Sequence, residues 1–600
     1  MCGIVGFTGT KNPAQITVAL KSIANRGRDE DSIFSQNNIN LGMTRLSIVD
    51  LQPKLFPMRY KHYVLVYNGE IYNYAHLKSK LEKAGITFRS KNDGEVILPL
   101  FDRYKEKAFA MLDGMFAIAI YDTRRQKLYL ARDKMGEKPL YYTQYQDQLY
   151  FASELKAVLK LTPRRDLNHA VLGEYLSQGF VFAPHTLVNN VFCLKRGQCV
   201  CYSQTTQSFT RHEYWSSPIS TLAPHSSTSD LIDELEGLLD TTVKSRLMAD
   251  VPIGTFLSGG IDSSLITFFA TIYKKDVNTY SVTFPHHPKN DERIFAQKAS
   301  QWLSTRHHEI VCTPSSVKPI VENIGSLIDH PISDPACLPT YLLAHEARKA
   351  VKVVLTGEGA DEIFGGYHHY WKELLAHKFK NSFGGKILQP ATALLAKKFG
   401  RLQKITTTLA THYNTQGIFN AQEVTLLLGH PSSLIMPGIL TKYSLTNPLL
   451  GMQLTDMTGY LPEQLFMKVD KMTMANNLEA RAPFVSPDIV AFGLALPEYL
   501  KAGLFQGKWL LKKIAEKHFP KYMVWRPKHG FTLPLGEWLN GELSFVLREL
   551  TLLLPSVNYL NPGYYHNLIE GHRGGKANHA DKIWTLYVLL KWMHEYKIKD

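Results

Sequence analysis

The chain has 600 residues, 20% of them charged and 44% hydrophobic, with a formal net charge of +15. That length can bury at least two cores, while no run approaches the ~18 apolar residues that cross a bilayer and no basic n-region and apolar h-region open the chain, so no membrane role and a cytoplasmic location are expected. The positive charge suits anionic small substrates, and without an RNP motif, a zinc finger or a dense Lys/Arg run no nucleic acid is expected as partner.

The chain opens MCGIVGF. Removal of Met1 would leave a thiol and a free α-amine on one residue, Cys2. A thiol of pKa near 8.5 carries little thiolate at neutral pH, and an adjacent terminal amine is a base that activates such a nucleophile. Residues 1 to about 215 then read as short strands with turn signals and two helices. LVYNGEIYNY alternates around an Asn-Gly turn signal; HLKSKLEKAG reads as a helix ended by Gly85; FAIAIYD and KLYLARD read as strands joined by TRRQ. FCLKRGQCVCYS reads as a hairpin carrying Cys193, Cys199 and Cys201. With Cys312 and Cys337 these are expected to be buried structural thiols, since no C-x-x-C pair or matching histidines complete a zinc site and six cysteines in 600 residues make no disulfide framework.

SSPISTLAPHSSTSD reads as the linker, with a boundary at 216–229. Beyond it SDLIDELEGLLDTTVKSRL has helical spacing. VPIGTFL, TYSVTF, HHEIVC and VKVVLTG then alternate with DSSLITFFATIY, DERIFAQKASQWL and TYLLAHEARKA, the pattern of parallel βαβ units. From about Gly366 the pattern is helical to the end.

Several stretches of the first half converge on one chemistry. Arg45 in TRLSIVDL suits an α-carboxylate through bidentate contact; Asp93 in NDGEVI and Glu70 suit an α-ammonium. Asn68 and Gly69, expected at a tight turn, offer a side-chain amide and a backbone N–H that could form an oxyanion hole. A surface ion pair for Arg45, a plain turn for Asn68-Gly69 and a helix cap for Asp93 are the alternatives. Taken in order, MCGIVGF, RGRD, TRLSIVDL, NGEIYN, NDGEVI, GMFAIAIYD and ARDKMGEKPLYY resemble the class II, N-terminal-cysteine glutamine amidotransferase domain. The resemblance implies a fold of stacked antiparallel sheets with flanking helices, Cys2 as nucleophile, and Arg45, Ile48, Asn68, Gly69, Glu70 and Asp93 around glutamine. The chain departs from that pattern at Arg28, where the family has proline, at Met43, where histidine is common, and at Gly94, where threonine is common.

FLSGGIDSSL follows a strand and opens a helix. Gly259 and Gly260 allow close backbone approach, Ser258, Ser263 and Ser264 supply hydroxyls, and the helix N-terminus adds N–H donors, so a phosphate is the expected ligand. No G-x-x-x-x-G-K-[ST] occurs; Ser-Gly-Gly-x-Asp-Ser instead resembles the pyrophosphate loop of enzymes that cleave ATP to AMP and pyrophosphate. In LTGEGADEIFGGY, Glu358, Asp361 and Glu362 crowd at a strand's C-terminal end, suggesting a Mg²⁺ site that Asp262 joins. A solvated acidic loop is the alternative. Lys508 in FQGKWLLKK stands at an expected helix start. With FMKVDKMTMANNLEARAPF and RPKHGFTLPLGEW, these segments resemble the synthetase domain of glutamine-hydrolysing asparagine synthetases, from about Asp230 to the end and most thinly between His377 and Leu449. The resemblance implies an α/β pyrophosphate-loop domain with a helical C-terminal part. Leu257 and Val282 would line an adenine pocket flanked by Thr356 and Gly357. Asp262, Asp361 and Lys508 would hold phosphates and Mg²⁺, and Glu358 would act at the acyl-adenylate.

The implied reaction is glutamine-dependent amidation: aspartate, glutamine and ATP give asparagine, glutamate, AMP and pyrophosphate, with ammonia carried through an apolar tunnel between the domains. A homodimer is compatible with the chain. Three rival readings stand beside it. One keeps both half-reactions but amidates another carboxylate, such as a sugar acid, a cell-wall peptide or a natural-product intermediate. It draws on Asp329-His330-Pro331, where Asp-Glu-Pro is usual, and on Ser486, where aspartate is common. The others are a nucleic-acid-modifying pyrophosphate-loop enzyme and a non-catalytic metabolite sensor.

Overall fold

The computed structural model describes residues 2–9, 13–36, 38–53, 55–219, 227–285, 287, 291–381, 417–431, 447–503, 506–526 and 533–600. Half of the linker (220–226) and most of the stretch between His377 and Leu449 lie outside the described residues, as do Met1, Phe505 and the centre of RPKHGFTLPLGEW (527–532).

The first half builds two antiparallel sheets. Its strands are β1 (Cys2–Thr8), β2 (Glu30–Gln36), β3 (Ile39–Arg45), β4 (Met58–Tyr60), β5 (Tyr63–Ile71), β6 (Gly114–Asp122), β7 (Lys127–Arg132), β8 (Tyr141–Tyr145), β9 (Gln148–Ala152), β10 (Phe192–Cys193), β11 (Gln198–Ser203) and β12 (Ser208–Glu213). One sheet runs β10-β8-β9-β1-β3-β2, the other β12-β11-β7-β6-β5-β4. A buried cluster joins Ile4 and Leu41 of the first sheet to Ile118 and Leu128 of the second and to Leu98 and Phe101 of the helix Ile97–Tyr104, so the sheets stack with helices at their flank, as the fold class requires.

Three local expectations change. Asn68-Gly69 is not a turn: it lies inside β5, paired with Ala117 and Phe116 of β6. Hydrophobic residues on both sides of the dipeptide carry the strand through it, and the signal survives only as a φ of +156° at Gly69. FCLKRGQCVCYS is not a hairpin, because β10 pairs with β8 in one sheet and β11 with β7 in the other; the segment crosses between layers. The helices exceed two: five helices of seven residues or more occur here among the described residues, at Pro13–Ser22, Tyr74–Glu82, Ile97–Tyr104, Leu155–Leu161 and Leu172–Gln178. The helix Tyr74–Glu82 does end in left-handed Gly85, at φ +85°. All six cysteines are buried and free.

The second half begins with the helix Thr228–Arg246, whose Ser227 and Asp230 form a reciprocal capping box. Its sheet contains β13 (Ile253–Phe256), β14 (Asn278–Thr283), β15 (Arg306–Val311), β16 (Val353–Leu355) and β17 (Glu479–Arg481), in the order β15-β14-β13-β16-β17, all parallel. β17 corrects the all-helical reading beyond Gly366: three residues with charges at both ends carry no strand periodicity, and only pairing with β16 makes them one. The order reverses between β13 and β16, and ligands of open parallel sheets sit at the C-terminal ends of strands at such a point. Both glycine-rich loops leave the sheet there. The halves share a core, since one cluster of buried side chains runs from Phe7 and Tyr150 through Ile332 and Met467 to Trp584 and Trp592. Among the described residues no helix is long and apolar enough to cross a membrane.

Candidate active sites

Cys2 starts β1 opposite Arg45 of β3 and is 8% exposed. Its N–H donates to Asn68 Oδ1 at 3.0 Å, which aims the amide nitrogen of Asn68 away; that Nδ2 is buried and has no hydrogen-bond partner. Burial raises the Cys2 thiol pKa, so the sulfur is protonated until a base acts on it. Gly69 is obligatory beside it, because a Cβ there would meet the Met115 carbonyl at 2.0 Å. Asp93 Oδ2 accepts from the Tyr67 hydroxyl and, at 2.7 Å, from Ile71 N–H; burial outweighs both bonds and pushes its pKa to about 6. Asp93 is no helix cap, since Asn92 caps that turn by accepting from Gly94 N–H at 3.0 Å. Burial, reinforced by Asp93 and Glu479, drives Glu70 well above the usual carboxylate range.

Arg45 is anchored rather than mobile. NH1 donates to Gln52 O at 2.5 Å, NH2 donates to Asp50 O, and Glu30 lies 3.5 Å away. Ile48 beside it is buried, and its carbonyl accepts from Asp250 N–H at 2.9 Å. Arg45 lines a cleft of about 710 Å³ with Asp29, Glu30, Ser47, Phe56 and Lys352. Of the departures noted above, Gly94 has a reason in this chain: a Cβ there would meet the Tyr67 ring at 2.7 Å. Arg28 is exposed, beside the Asp29–Lys352 ion pair of 2.9 Å.

The second constellation gathers at β13 and β16. Ser258 Oγ accepts from Gly260 N–H at 3.2 Å and lies 3.1 Å from Ser263 Oγ, so the loop is tied to itself before any ligand arrives. Ser264 Oγ is buried and has no partner. Gly259, at φ +72°, packs on Phe295, whose carbonyl carbon would lie 2.3 Å from an added Cβ. Gly357 brings the acidic loop against it, since its Cβ would stand 3.0 Å from that of Asp262. Leu257, one residue past β13, and Val282 of β14 are both buried, and Leu257 N–H donates to Tyr280 O at 2.9 Å. Thr356 N–H donates to Arg481 O at 2.9 Å, and Glu358 is half-buried beyond it.

Lys508 precedes the helix Trp509–His518 with φ +60°, and its Nζ bridges Asp262 Oδ2 at 2.6 Å and Asp361 Oδ1 at 2.7 Å. Burial opposes its charge, but the two carboxylates more than offset that and raise its pKa. The two oxygens thus converge on one point of positive charge and are hard donors of the kind Mg²⁺ takes. Gly366 makes room, since any Cβ would lie 2.0 Å from Asp361 Oδ1.

Between the two constellations lies a cavity of about 10 Å³, room for one water-sized molecule, lined by Lys138 from the first half and Glu358, Phe466, Val469, Asp470, Ala480 and Arg481 from the second. Most of its exposed lining is apolar, with Lys138, Glu358, Asp470 and Arg481 among the wall residues. Sequence reasoning missed Arg481, which donates to Glu479 at 2.6 Å and lies 3.5 Å from Glu70, tying β17 to the first site. The two residues behind the unsettled acceptor both have partners within the fold. His330 Nε2 accepts from Leu187 N–H at 3.3 Å and meets Tyr141 edge-on; burial lowers its pKa to about 3, so it is neutral. Ser486 caps the helix Pro487–Ala495, accepting from Ile489 N–H at 3.3 Å.

A stacked-sheet half with a cysteine at the head of its central strand, joined to a parallel-sheet half with a serine–glycine loop, is the layout of a glutamine amidotransferase fused to a nucleotide-using synthetase. The family model for the glutamine amidotransferase domain matches residues 1–215, and that for asparagine synthase matches residues 234–595. Relatives include "Asparagine synthetase [glutamine-hydrolyzing] 1" of Bacillus subtilis (strain 168), 33% identical over 617 residues that cover 99% of this chain and 96% of the relative. A "Putative asparagine synthetase [glutamine-hydrolyzing]" of Mycobacterium bovis is 30% identical, covering 99% and 97%. "Asparagine synthetase [glutamine-hydrolyzing]" of Rattus norvegicus is 26% identical, covering 99% and 97%. The chain belongs to the asparagine synthetase family. It is a glutamine-dependent amide ligase that uses ATP.

Proposed function

We propose that this enzyme makes asparagine from aspartate through a β-aspartyl-adenylate, with residues 1–215 as the glutaminase and 230–600 as the synthetase. In the first site, with Met1 removed, the Cys2 amine accepts the thiol proton and the sulfur attacks the glutamine carboxamide carbon. Asn68 Nδ2 and Gly69 N–H take the developing oxyanion. Arg45 and Ile48 hold the carboxylate end of glutamine, and Asp93 with Glu70 the α-ammonium end. Ammonia leaves, and water cleaves the thioester to glutamate.

In the second site the adenine lies against Leu257 and Val282, flanked by Thr356 and Gly357, and the phosphates lie on Ser258 to Ser264. An oxygen of the aspartate β-carboxylate bonds to the α-phosphorus as the bond to the β-phosphate breaks, with the electron pair leaving on pyrophosphate. Asp262 and Asp361 would hold Mg²⁺, which neutralises phosphate charge when bound, and Lys508 adds its own positive charge. Ammonia then attacks the acyl carbon, Glu358 takes the surplus proton, and AMP departs. Holding nucleophile and acyl group together contributes roughly 7–11 kcal/mol. Six free, buried thiols suit a cytoplasmic setting.

The observation that supports the reading is the small cavity walled by Lys138 of the glutaminase half and Glu358 of the synthetase half, on the line that ammonia would take between the two sites. His330 and Ser486, with their structural partners, give no support to a different acceptor. The test is pyrophosphate release across a panel of carboxylates, with glutamine or ammonium as nitrogen source. Aspartate-dependent release is expected; release driven by another carboxylate and not by aspartate would overturn the assignment.

A further inference from the structure

Arg526 follows the short helix Lys521–Val524 and lies over the serine–glycine loop. Its side chain is only 9% exposed. Glu292 holds one edge, accepting from NH2 at 3.0 Å. The guanidinium carbon lies 4.0 Å from the centroid of the Phe295 ring, a cation–π stack. Phe295 also backs the loop at Gly259, and a Cβ on Gly260 would stand 4.0 Å from Arg526 NH2. The other terminal nitrogen, NH1, is buried with no hydrogen-bond partner. A buried, charged N–H without an acceptor is costly, and here it adjoins a loop whose Ser264 hydroxyl is also buried and unmatched. Two orphaned donors, one of them beside the glycine-rich loop and one from outside it, call for a multivalent anion. A planar guanidinium fork, oriented by Glu292 and Phe295, matches phosphate oxygens better than an ammonium does.

We propose that Arg526 is a pyrophosphate-binding residue that donates through NH1 to the β- and γ-phosphates of ATP. It meets the charge that develops on the leaving pyrophosphate as the α-phosphorus–oxygen bond breaks. The proposal rests on the ATP-cleaving reading above and adds to it a cation from outside the loop and the acidic pair. In chain order Arg526 lies beyond every strand of the parallel sheet, so the C-terminal helical part closes the phosphate end of the cleft.

The test titrates inorganic pyrophosphate and AMP separately into the full-length protein with Mg²⁺ present, by calorimetry. Arg526→Gln is expected to weaken pyrophosphate about tenfold or more, the scale of one charge-assisted hydrogen bond, and to leave AMP within about twofold. In turnover it lowers kcat for acceptor-dependent pyrophosphate release more than it raises the KM for ATP, and Arg526→Lys recovers part of the loss. Unchanged pyrophosphate affinity in Arg526→Gln overturns the proposal. A parallel loss of AMP affinity also overturns it, because that marks a prop for the whole cleft. If the wild-type protein neither binds pyrophosphate nor releases it from ATP, the nucleotide reading itself fails, and that outcome is distinct from the other two.

Discussion

Arg26 grips both carboxylate oxygens of Asp470, at 2.7 and 3.0 Å, across 444 residues of chain. Its Nε donates to the Cys2 carbonyl at 3.1 Å, and NH1 also reaches Glu154 at 3.1 Å. One fully buried guanidinium thus joins the nucleophile's backbone to the helix Phe466–Met474, which walls the cavity between the sites. Removing one partner of a buried pair leaves an uncompensated charge. Arg26→Ala is expected to lower stability by about 3–5 kcal/mol, read as a shift in denaturant midpoint, and to raise the glutamate formed per pyrophosphate. Arg26→Lys recovers little of this, because an ammonium cannot span both oxygens.

Asn68 holds the Cys2 N–H with its oxygen, and its nitrogen is buried with no hydrogen-bond partner, as the proposed oxyanion role needs. Loss of one oxyanion donor costs roughly 2.7–4 kcal/mol of barrier. Asn68→Ala is therefore expected to cut glutamine-dependent kcat about 10²- to 10³-fold while ammonium-dependent pyrophosphate release continues. Equal loss with both nitrogen sources would show that Asn68 acts on the fold instead.

In the proposed glutamine site, Asp93 ties binding to pH. Only the ionised carboxylate pairs with an ammonium, so with a folded pKa of about 6 the KM for glutamine should rise as pH falls through 6, and Asp93→Asn should remove that limb. Stability of the unliganded enzyme runs the other way. Burial raises the folded pKa above the unfolded value near 3.9, so the protonated group contributes stability that is fully present below about pH 4 and is lost as pH rises through 6. Glutamine titrations and unfolding curves across this window read the two effects separately.

Ser486 tests whether a departure from the family pattern bears on the acceptor. Its side chain caps the helix Pro487–Ala495. Ser486→Ala is expected to cost about 1 kcal/mol and Ser486→Asp almost nothing, since either residue caps well. Acceptor preference should stay the same in both. A change of preferred carboxylate in Ser486→Asp would move this residue into the acceptor site.

Ala480, on β17, faces the cavity between the sites. Ala480→Phe is expected to fill it at a stability cost of about 1–3 kcal/mol from overpacking. Glutamine hydrolysis should then outrun amidation, with added ammonium restoring the product. One-to-one coupling in that variant would rule out passage by this route.

Much of this was legible in the residues themselves. Cys2, Asn68-Gly69, the Ser258–Ser264 loop and the Gly357–Gly366 segment each carry a local chemical demand, for a terminal thiol, a strand irregularity or a close backbone approach, and such demands survive without a partner in view. The βαβ run was legible for the same reason, because its periodicity alternates over long stretches. β17 was not, since Glu479-Ala480-Arg481 is a strand only by pairing with β16. The Asn-Gly signal in β5 failed because pairing with β6 along nine residues outweighs a local turn preference.

The sequence alone determined which candidate groups exist and the order in which they come, because a terminal thiol, a buried amide or a phosphate-type loop is defined by residue type and near neighbours. Tertiary structure decided which charges meet. Arg26 with Asp470, Lys508 with Asp262 and Asp361, Arg481 with Glu70 and Glu479, and the unmatched edge of Arg526 are set by elements that lie far apart along the chain. Burial then gives those meetings their energy, since a low-dielectric interior strengthens a paired charge and penalises an unpaired one. No local pattern encodes that difference.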